Sequence, residues 1–448
     1  MGQPHPRAGA KALKEALERR LGRPVSRREF LRASAVVAAT PGLSAILAAC
    51  GGDPRSATGQ GPAGSGFEVA TPDNPVTLPS GTPIADGLPS ETGATLQLYN
   101  WTYYIWKPII QRFCDAEGCD FDITTFNNME EGVSKLQTGE LKIDVFFPTY
   151  DQLGKLVHSN LLQPLNHSYI PNIDNVWETF KNPFYDQGWQ YSIPYTTYTT
   201  GIEYRRDVIP DDEIQGMENP YELLWDPRFS GKAGIYDSYR DAIAMVLLKN
   251  GITDINTGNA ADIEIAKNDL IAMVDAVNIR TSINGAYAKL PKGEYDVHQS
   301  WSGDSVAAWG YVNTYVQSEY ENVGYWFPDD RKGPVDNDLI AIPASAEHPV
   351  LAHKFLNFII DFKNSMDNFS WNGYQPPQVK ADISALTNTE GLYSKNAKWA
   401  EPAMYVAPWM PAAVVRQEDF DIGYRLHELA PEADQLWLDA WQEFKAGA

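Results

Sequence analysis

The sequence predicts an α/β protein that is folded into two lobes with a ligand crevice between them. Short apolar runs alternate with helical stretches from Thr95 onward, and the same alternation begins again after about residue 200. The folded part, roughly 350 residues, exceeds what a single hydrophobic core accommodates. A chain of 448 residues with 43% hydrophobic and 21% charged side chains is not collagen-like, coiled-coil or wholly disordered. We therefore expect the ligand between the lobes, at the carboxyl ends of the strands.

Residues 1–49 are predicted to be an export signal that is not part of the fold. The pair Arg27-Arg28 precedes a small, apolar run over residues 33–49, which leads into Leu-Ala-Ala-Cys at Cys50. This order resembles a twin-arginine lipoprotein signal, in which the cysteine is lipidated and becomes the mature N-terminus. A short transmembrane anchor is the alternative, but the run contains a proline and is shorter than the ~20 apolar residues that a bilayer core requires. We expect an exported, lipid-anchored protein in the periplasm or on the outer face of the cell membrane.

Residues 50–94 are predicted to be a flexible linker, because they are dense in Gly, Pro, Ser and Thr and contain few large apolar side chains. Over the whole chain, 36 Lys and Arg stand against 58 Asp and Glu, which gives a net charge of −22. Since the first 49 residues are basic, the rest of the chain carries 27 basic and 55 acidic side chains, net −28. A protein this acidic repels nucleic acid and attracts cations, so we expect no nucleic-acid partner.

The first lobe is predicted to comprise residues 95–200 together with about 328–380. Apolar runs bounded by polar or turn residues are typical of strands, and segments with helical periodicity alternate with them. The predicted strands are 96–99, 122–126, 143–147 and 339–342, and the predicted helices are 107–114, 129–137 and 349–361. The order strand, helix, strand, helix, strand indicates a mostly parallel sheet with helices on its faces.

The second lobe is predicted to comprise residues 201–327 together with about 381–448. Its predicted strands are 201–204, 233–236 and 297–301, and its predicted helices are 242–250, 260–276 and 432–444. We expect the connections between the lobes, near residues 199–204 and 326–343, to form the hinge.

Two cysteines, Cys114 and Cys119, lie five residues apart, with Gly118 as a predicted helix C-cap between them. A chain reversal at this glycine brings the two sulfurs within bonding range, so a local disulfide is one interpretation. Two free thiols are the other, because twin-arginine cargo folds before it reaches an oxidising compartment. A zinc site requires further ligands at set spacings, and the neighbouring sequence has none.

A series of short motifs occurs, one after another, within residues 95–380. They are Leu98 to Tyr104, Asp144 to Thr149, Tyr191 to Tyr195, Trp225 to Lys232, Trp301 to Gly303, Asp338 to Pro343 and Asn372 to Tyr374. Together they resemble the spermidine/putrescine-binding proteins of bacterial polyamine ABC importers. The resemblance implies a two-lobed periplasmic-binding-protein fold of type II, in which each lobe is a mixed sheet flanked by helices and crossing strands form the hinge. It also implies a polyamine or another small cationic solute as ligand and an ABC permease in the membrane as partner.

A polyamine carries several ammonium groups joined by short methylene chains. Each buried ammonium requires a carboxylate or several oxygens, and aromatic faces cover the methylene groups and add cation–π attraction of ~0.5–2 kcal/mol. By the resemblance, the ligand-binding residues are Trp101, Thr102, Tyr104, Thr149, Asp151, Asp237, Asp241, Trp301, Asp336, Asp338 and Tyr374.

The sequence departs from the family's pattern at several positions. Asp151 stands where the family has a tyrosine, and it is either an added carboxylate or a helix cap. Asp336 stands where the family has an aromatic wall, which implies a ligand with more charge or a different cation. Ser238 stands where an acidic anchor is expected, and Asp237 precedes it by one residue. Asp304 is either a further carboxylate or a helix cap.

Two other classes of function compete with polyamine binding. The first is a solute-binding protein for a ferric ion, a sugar or a quaternary amine, and Tyr103-Tyr104 is the kind of pair that ferric binders use. The second is an extracellular glycoside hydrolase, since Trp-rich clefts with two carboxylates also cleave glycosides. The sequence contains no His-Glu-x-x-His or Gly-x-Ser-x-Gly motif and only seven His. We therefore expect a monomeric binding protein without catalytic activity, cofactor or metal.

Overall fold

The computed structural model describes residues 69–283, 285–315, 322–387 and 405–447, and it leaves out the side chains of residues 309–315. These ranges are called the described residues below. The predicted export signal, the lipidation of Cys50 and residues 50–68 of the predicted linker lie outside them. Within the described residues, no helix combines the length and the hydropathy needed to cross a membrane.

The strands and helices alternate as the sequence predicts. The strands are β1 (Thr95–Trp101), β2 (Asp120–Phe126), β3 (Val145–Phe146), β4 (Ser192–Arg205), β5 (Ala233–Ile235), β6 (Arg280–Thr281), β7 (Val297–Trp301), β8 (Val323–Trp326) and β9 (Val335–Ala341). The helices are α1 (Lys107–Glu117), α2 (Met129–Thr138), α3 (Leu153–His158), α4 (Asp211–Gly216), α5 (Tyr239–Lys249), α6 (Ala260–Val277), α7 (Ala286–Lys289), α8 (Ser302–Tyr315), α9 (Pro349–Ile359), α10 (Phe362–Asn372), α11 (Ile383–Leu386), α12 (Asp419–Ile422) and α13 (Pro431–Gly447).

The strands form two mixed halves that share β4. In the first half, β1 pairs parallel with β2 and β3, and β9 pairs antiparallel with β3 and β4. In the second half, β5 pairs parallel with β6 and β7, and β4 pairs antiparallel with β7 and β8. This arrangement confirms the predicted α/β class with two lobes, each built on a mixed sheet.

The long strand β4 changes partners where it passes between the halves. Its residues up to Thr199 pair with β9, and from Thr200 onward they pair with β7 and then also with β8. A Cβ atom at Gly201 would lie 2.1 Å from the carbonyl oxygen of Trp326, so only glycine lets β4 and β8 approach at this point. The link from β8 to β9 is a second crossing. The predicted hinge of crossing strands is therefore present.

Each lobe has its own hydrophobic core. In the first lobe, Phe113 of α1 and Phe355 of α9 pack in one buried cluster with Ile340 of β9. In the second lobe, Leu247 of α5 and Leu270 of α6 pack in a cluster with residues of β5 and β7. Helices that cover a sheet in this way bury the apolar side chains that the strands present.

The C-terminal segment, residues 405–447, packs into both lobes, which differs from the predicted boundary. Val415 and Phe420 belong to the core of the first lobe, whereas Trp437 and Phe444 belong to the core of the second. The prediction had assigned about 381–448 to the second lobe alone. Helical periodicity identifies the segment that ends in α13, but it does not reveal which core a preceding loop joins.

Residues 69–94 are packed against the first lobe, so the prediction of a flexible linker is wrong for this part of 50–94. Val76 and Leu78 are buried, and the Val76 amide donates to the carbonyl of Phe184 at 2.9 Å. The carboxylate of Glu91 accepts hydrogen bonds from two amides in the first turn of α9. The composition misleads because a few apolar side chains and backbone hydrogen bonds are enough to fix an irregular segment onto an existing core.

Cys114 and Cys119 form a disulfide, which was one of the two interpretations of the sequence. Helix α1 ends at Gly118, whose φ of 71° is left-handed, and the reversal brings the two Cα atoms to 4.6 Å. The bond therefore closes a short loop between α1 and β2.

A buried ion pair attaches the C-terminal segment to the link between β8 and β9. Arg331 donates through Nε to Asp419 at 2.8 Å, and its Nη2 bonds the second carboxylate oxygen and the carbonyl of Val414. The Asp419 side chain is 0% exposed and that of Arg331 is 11% exposed. Removing one partner leaves the other charge buried without compensation.

We expect Arg331→Met to lower the free energy of unfolding by about 3–5 kcal/mol, because Asp419 would remain as an unpaired buried charge. Urea denaturation followed by tryptophan fluorescence measures the change. The neighbouring Lys332→Met is the matched control, since Lys332 is 59% exposed and forms a surface ion pair with Asp330 at 3.5 Å. Its cost should stay below about 1 kcal/mol. Equal costs for the two variants would contradict a structural role of the Arg331–Asp419 pair.

Candidate functional site

Carboxylates and aromatic rings from both lobes meet between the two halves of the sheet. We call this group the cleft cluster. Its members are Tyr104, Tyr198, Tyr236, Asp241, Trp301, Asp304, Asp338 and Tyr374.

The ends of strands and helices supply most of these side chains. Tyr236 follows β5 directly, Trp301 is the last residue of β7, and Asp304 lies in the first turn of α8. Tyr104 lies in the loop between β1 and α1, and Tyr374 follows the glycine that ends α10. The carboxyl ends of strands are where open α/β sheets form their crevices, so the fold itself gathers these groups.

Asp338 of β9 is the buried acid of the first lobe. The hydroxyl of Tyr104 donates to its Oδ2 at 2.6 Å, and the hydroxyl of Tyr198 donates to its Oδ1 at 3.4 Å. Burial raises the pKa of Asp338 to about 7, the two hydroxyls oppose this shift, and the nearby Asp336 and Asp151 add to it. A carboxylate held only by neutral donors is thus kept close to its titration point near neutral pH.

Asp304 joins Tyr374 to the second lobe. Its Oδ1 accepts from the Tyr374 hydroxyl at 2.9 Å, and its Oδ2 accepts from the Tyr236 hydroxyl at 2.7 Å. Removal from water raises the pKa of Asp304 to about 6. A Cβ atom at Gly303 would lie 2.4 Å from the Tyr374 ring, so glycine permits this contact between α8 and Tyr374.

Asp241, in the first turn of α5, completes the acidic side of the second lobe. Its Oδ1 accepts from the indole Nε1 of Trp301 at 2.9 Å, and its Oδ2 accepts from the Ser238 hydroxyl at 2.6 Å. Loss of solvation raises the pKa of Asp241 as well. Trp301 also stacks on the Tyr236 ring at 3.8 Å between centroids, which fixes the plane of the indole.

Ring contacts connect the two sides of the cleft cluster. The centroid of Tyr374 lies 4.9 Å from that of Tyr104 and 6.0 Å from that of Tyr198, and both pairs are edge-to-face. Tyr198 lies 5.9 Å from Trp301. The acids of the two lobes are therefore separated by a short aromatic wall.

Among the described residues, no Lys or Arg side chain forms an ion pair with Asp241, Asp304 or Asp338. All three accept hydrogen bonds from hydroxyl or indole groups, which remain neutral. Taking carboxylates out of water without a cation is costly, and it is the main cause of the three raised pKa values. The chemistry of this arrangement suits a ligand that brings positive charge and N–H donors.

In the described part of the chain, three predicted residues make no side-chain hydrogen bond or ring contact with the cleft cluster. Trp101 donates its indole N–H to the carbonyl of Phe147 at 3.1 Å and packs against Phe126. Thr102 is half-buried in the following turn. Thr149 forms a backbone bridge with Asp338. Their roles as ligand-binding residues remain predictions.

Asp151 occupies a half-buried 3-10 turn, Tyr150–Gln152, that begins directly after Thr149. Its charge contributes to the raised pKa values of both Asp241 and Asp338. It caps no helix, because the residue before the turn makes no side-chain cap and Asp151 lies inside the turn. The interpretation of Asp151 as an added carboxylate therefore fits the structure better.

Two predicted acids are corrected by their neighbours. Asp237 is exposed and pairs with Lys445 at 2.9 Å on the surface, so it does not join the cleft cluster. Asp336 is buried, but it accepts from Tyr150 at 2.7 Å and pairs with Arg425 at 3.4 Å. Asp336 thus has a cation partner within the protein, which the sequence did not predict, although burial still raises its pKa to about 6.

Sequence reasoning did not identify Tyr198, Tyr236 or Arg425. Tyr236 is the last residue of the predicted strand 233–236, and this position at a strand end could have suggested it. Tyr198 lies in a Thr-rich segment whose sequence pattern did not predict a strand. Arg425 is supplied by the C-terminal segment, and its guanidinium lies 4.6 Å from the ring of Tyr150. In the described residues, no group of three or more His, Cys, Asp and Glu has an arrangement that could hold a metal ion.

Comparison with known proteins identifies relatives over most of the chain. The family described as bacterial extracellular solute-binding protein matches residues 109–394. A spermidine/putrescine-binding periplasmic protein of Haemophilus influenzae is 27% identical over 318 residues, which cover 68% of this chain and 84% of that protein.

Solved structures show the same fold with different ligands. The spermidine/putrescine ABC transporter substrate-binding protein PotD of Streptococcus pneumoniae has a TM-score of 0.61 at 21% identity, covering 79% of this chain and 99% of that chain. Iron-bound HitA of Pseudomonas aeruginosa has a TM-score of 0.53 at 18% identity, covering 78% and 99%. Because one fold serves ligands this different, the residues of the cleft must identify the ligand.

The raised pKa of Asp338 predicts a pH-dependent stability. Between its unfolded value of 3.8 and its folded value of about 7, the folded state holds a proton that the unfolded state releases, so stability falls as the pH rises through this window. We expect Asp338→Asn to gain about 2–3 kcal/mol over the wild type between about pH 5 and about pH 8, measured by urea denaturation without ligand. Asp237→Asn, at an exposed ion pair, should show no such gain. A gain that is independent of pH would contradict the assignment.

Proposed function

Because the chain belongs to the bacterial extracellular solute-binding proteins, we propose that it captures a polyamine, such as spermidine or putrescine, in the cleft cluster and presents it to an ABC permease. The observation that carries this proposal is the set of three enclosed carboxylates, Asp241, Asp304 and Asp338, that have no partner cation among the described residues. The spermidine/putrescine-binding relatives support the same ligand class.

The two sides of the cluster match the two ends of a linear polyamine. One ammonium group would bond Asp338, with the hydroxyls of Tyr104 and Tyr198 already oriented toward that carboxylate. Another would bond Asp241 or Asp304 on the second lobe. The methylene chain between them would pass along the aromatic faces, where each ammonium also gains ~0.5–2 kcal/mol of cation–π attraction.

The competing ligands fit these residues less well. Tyr103 is 66% exposed, whereas Tyr104 is buried, so the two adjacent tyrosines do not converge on one ferric ion. A sugar is neutral and would leave three carboxylates without compensation. A quaternary amine has no N–H to donate, whereas these acids accept hydrogen bonds. A hydrolase is not favoured, and we propose that the protein has no catalytic activity.

Ligand capture would favour closure of the lobes. Asp338 belongs to the first lobe and Asp241 to the second, so a ligand that bonds both binds the closed form more tightly than the open form. Rotation about β4 and the link from β8 to β9 would produce this motion. The closed monomer would then dock on the permease while a lipid on Cys50 tethers it to the membrane. The net charge of −28 after residue 49 would raise the local polyamine concentration, most strongly at low salt.

We expect Asp338→Asn to weaken spermidine binding by about 100-fold or more, because an ammonium would lose its buried charged partner. Trp301→Leu should cost about tenfold through the loss of the aromatic face. Isothermal titration calorimetry on the purified protein measures both values. Asp275→Asn, which removes an exposed charge on α6, is the control and should change affinity by less than about twofold. The proposed function fails if Asp338→Asn binds as tightly as the wild type, or if the wild type does not bind.

Polyamine affinity should fall at acidic pH. The ligand amines keep their protons over this range, whereas Asp338, with a pKa of about 7, becomes protonated and loses its charge. We expect affinity to fall by about tenfold from about pH 8 to about pH 6, with release of protons on binding near neutral pH. Titrations in two buffers with different ionisation enthalpies measure the proton release. An affinity that increases toward pH 6 would be inconsistent with an ionised Asp338 as the ammonium partner.

A further inference from the structure

A second group of acids borders the cleft cluster at Asp151. Its other members, Glu428 and Asp434, come from the C-terminal segment, beyond the residues that the family matches. Asp151 contributes to the raised pKa values of Asp241 and Asp338 on one side and of Glu428 on the other. Asp151 lies two residues after Thr149, whose backbone bridges Asp338, and Asp434 accepts from the hydroxyl of Tyr239, which lies in the same first helical turn as Asp241. The outer group therefore adjoins the cleft cluster, and we call the two groups together the acidic path.

Glu428 has an unpaired oxygen at this position. The residue is 6% exposed, and its Oε1 has no hydrogen-bond partner in the structure. Lys155 Nζ lies 3.9 Å from this oxygen, beyond hydrogen-bond distance, and the charge of Arg240 also acts on Glu428. A buried acceptor without a donor is unfavourable, and a donor with positive charge would relieve both the missing hydrogen bond and the buried charge.

Lys155 balances only part of this charge. Its Nζ lies 3.4 Å from Oδ2 of Asp434, whose Oδ1 accepts from the Tyr239 hydroxyl at 2.7 Å. Lys155 belongs to α3 of the first lobe and Asp434 to α13 of the second, so the pair crosses the crevice. Lys155 pairs with Glu428 and Asp434, and the charge of Arg240 also acts on Glu428, so the three acids still exceed the two cations. The lysine is 38% exposed at its side chain and is free to turn toward solvent.

Arg425, three residues before Glu428, pairs with the buried acid Asp336. Its guanidinium pairs with Asp336 and bonds Oδ1 of Asn337 at 2.6 Å, and it lies within 5.5 Å of three aromatic rings. Its guanidinium therefore interacts with Asp336, Asn337 and these rings. Arg240 directs its Nη2 to Oδ1 of Asn256 at 2.7 Å and to the carbonyl of His427 at 3.0 Å, so among the described residues no cation donates a hydrogen bond to Oε1 of Glu428.

We propose that Glu428, Asp434 and Asp151 form an outer subsite for one additional ammonium group of a linear polyamine. The inference rests on the proposed function and deepens it. The subsite selects longer polyamines, because a short diamine ends within the cleft cluster, whereas a tetraamine continues along the acidic path to Glu428. The ammonium group at the outer subsite donates to Oε1 of Glu428 and takes over contacts that Lys155 makes with Asp434.

The test is calorimetric titration of the full-length protein with putrescine, spermidine and spermine. We expect spermine to bind most tightly. Glu428→Gln keeps the shape of the side chain and removes its charge, and it should weaken spermine binding by about tenfold while changing putrescine by less than about twofold. Glu432→Gln is the matched control, since it removes the same charge from an exposed position in the first turn of α13. It should leave all three affinities within about twofold.

Lys155→Met provides a second, independent measurement. It removes the competing cation while keeping an apolar stem, so spermine affinity should increase by about threefold or more, with putrescine unchanged.

The outcomes separate the outer subsite from the proposed function. If Glu428→Gln weakens all three ligands equally, or leaves spermine binding unchanged, the outer subsite is wrong and polyamine capture stands. The same holds if Lys155→Met weakens spermine binding, or if the wild type binds putrescine as tightly as spermine. If the wild type binds none of the three, the proposed function fails and the outer subsite fails with it.

Discussion

The rest of this structure depends on one constraint, which is that carboxylates are enclosed between the two lobes and form no ion pair with any Lys or Arg that the structure describes. Asp241, Asp304 and Asp338 are oriented by hydroxyl and indole donors, which hold the oxygens in place without cancelling their charge. The negative potential stays available to a ligand for this reason. Asp336 differs in having a cation partner, Arg425, at 3.4 Å, although burial still raises its pKa to about 6. The acidic region therefore contains two kinds of aspartate. Asp338 has neutral donors as partners, whereas Asp336 has an arginine.

Much of the fold could be predicted from the sequence because hydrophobic periodicity reports burial locally. The prediction for β7 agrees with the structure at 297–301, and the long helix predicted at 260–276 differs from α6 by one residue. The first half of β4 was missed, since Ser192 to Thr200 is rich in hydroxyl side chains. Those side chains are nevertheless buried, because β4 lies beside β9. A local sequence pattern does not show which strand lies alongside.

The candidate site was predictable where a motif ties a residue to the end of a strand. Asp338, Trp301, Tyr104 and Tyr374 came from such motifs, and the structure brings them together with Asp241. Asp237 was predicted to bind ligand although it precedes the family's acidic position by one residue. A difference of one residue is enough to direct a side chain to the surface instead of the crevice. Arg425 could not be predicted, because it approaches Asp336 from 89 residues further along the chain and no local pattern links the two.

The C-terminal segment has a consequence for the energetics of the protein. It passes through the core of the first lobe at Val415 and Phe420 and enters the core of the second at Trp437. The chain thus links the lobes once more, in addition to β4 and the link from β8 to β9. Each additional connection reduces the number of orientations that the two lobes can adopt relative to each other in the open form. An ensemble with fewer orientations loses less entropy when it settles into a single geometry, so a larger share of the contact energy becomes affinity.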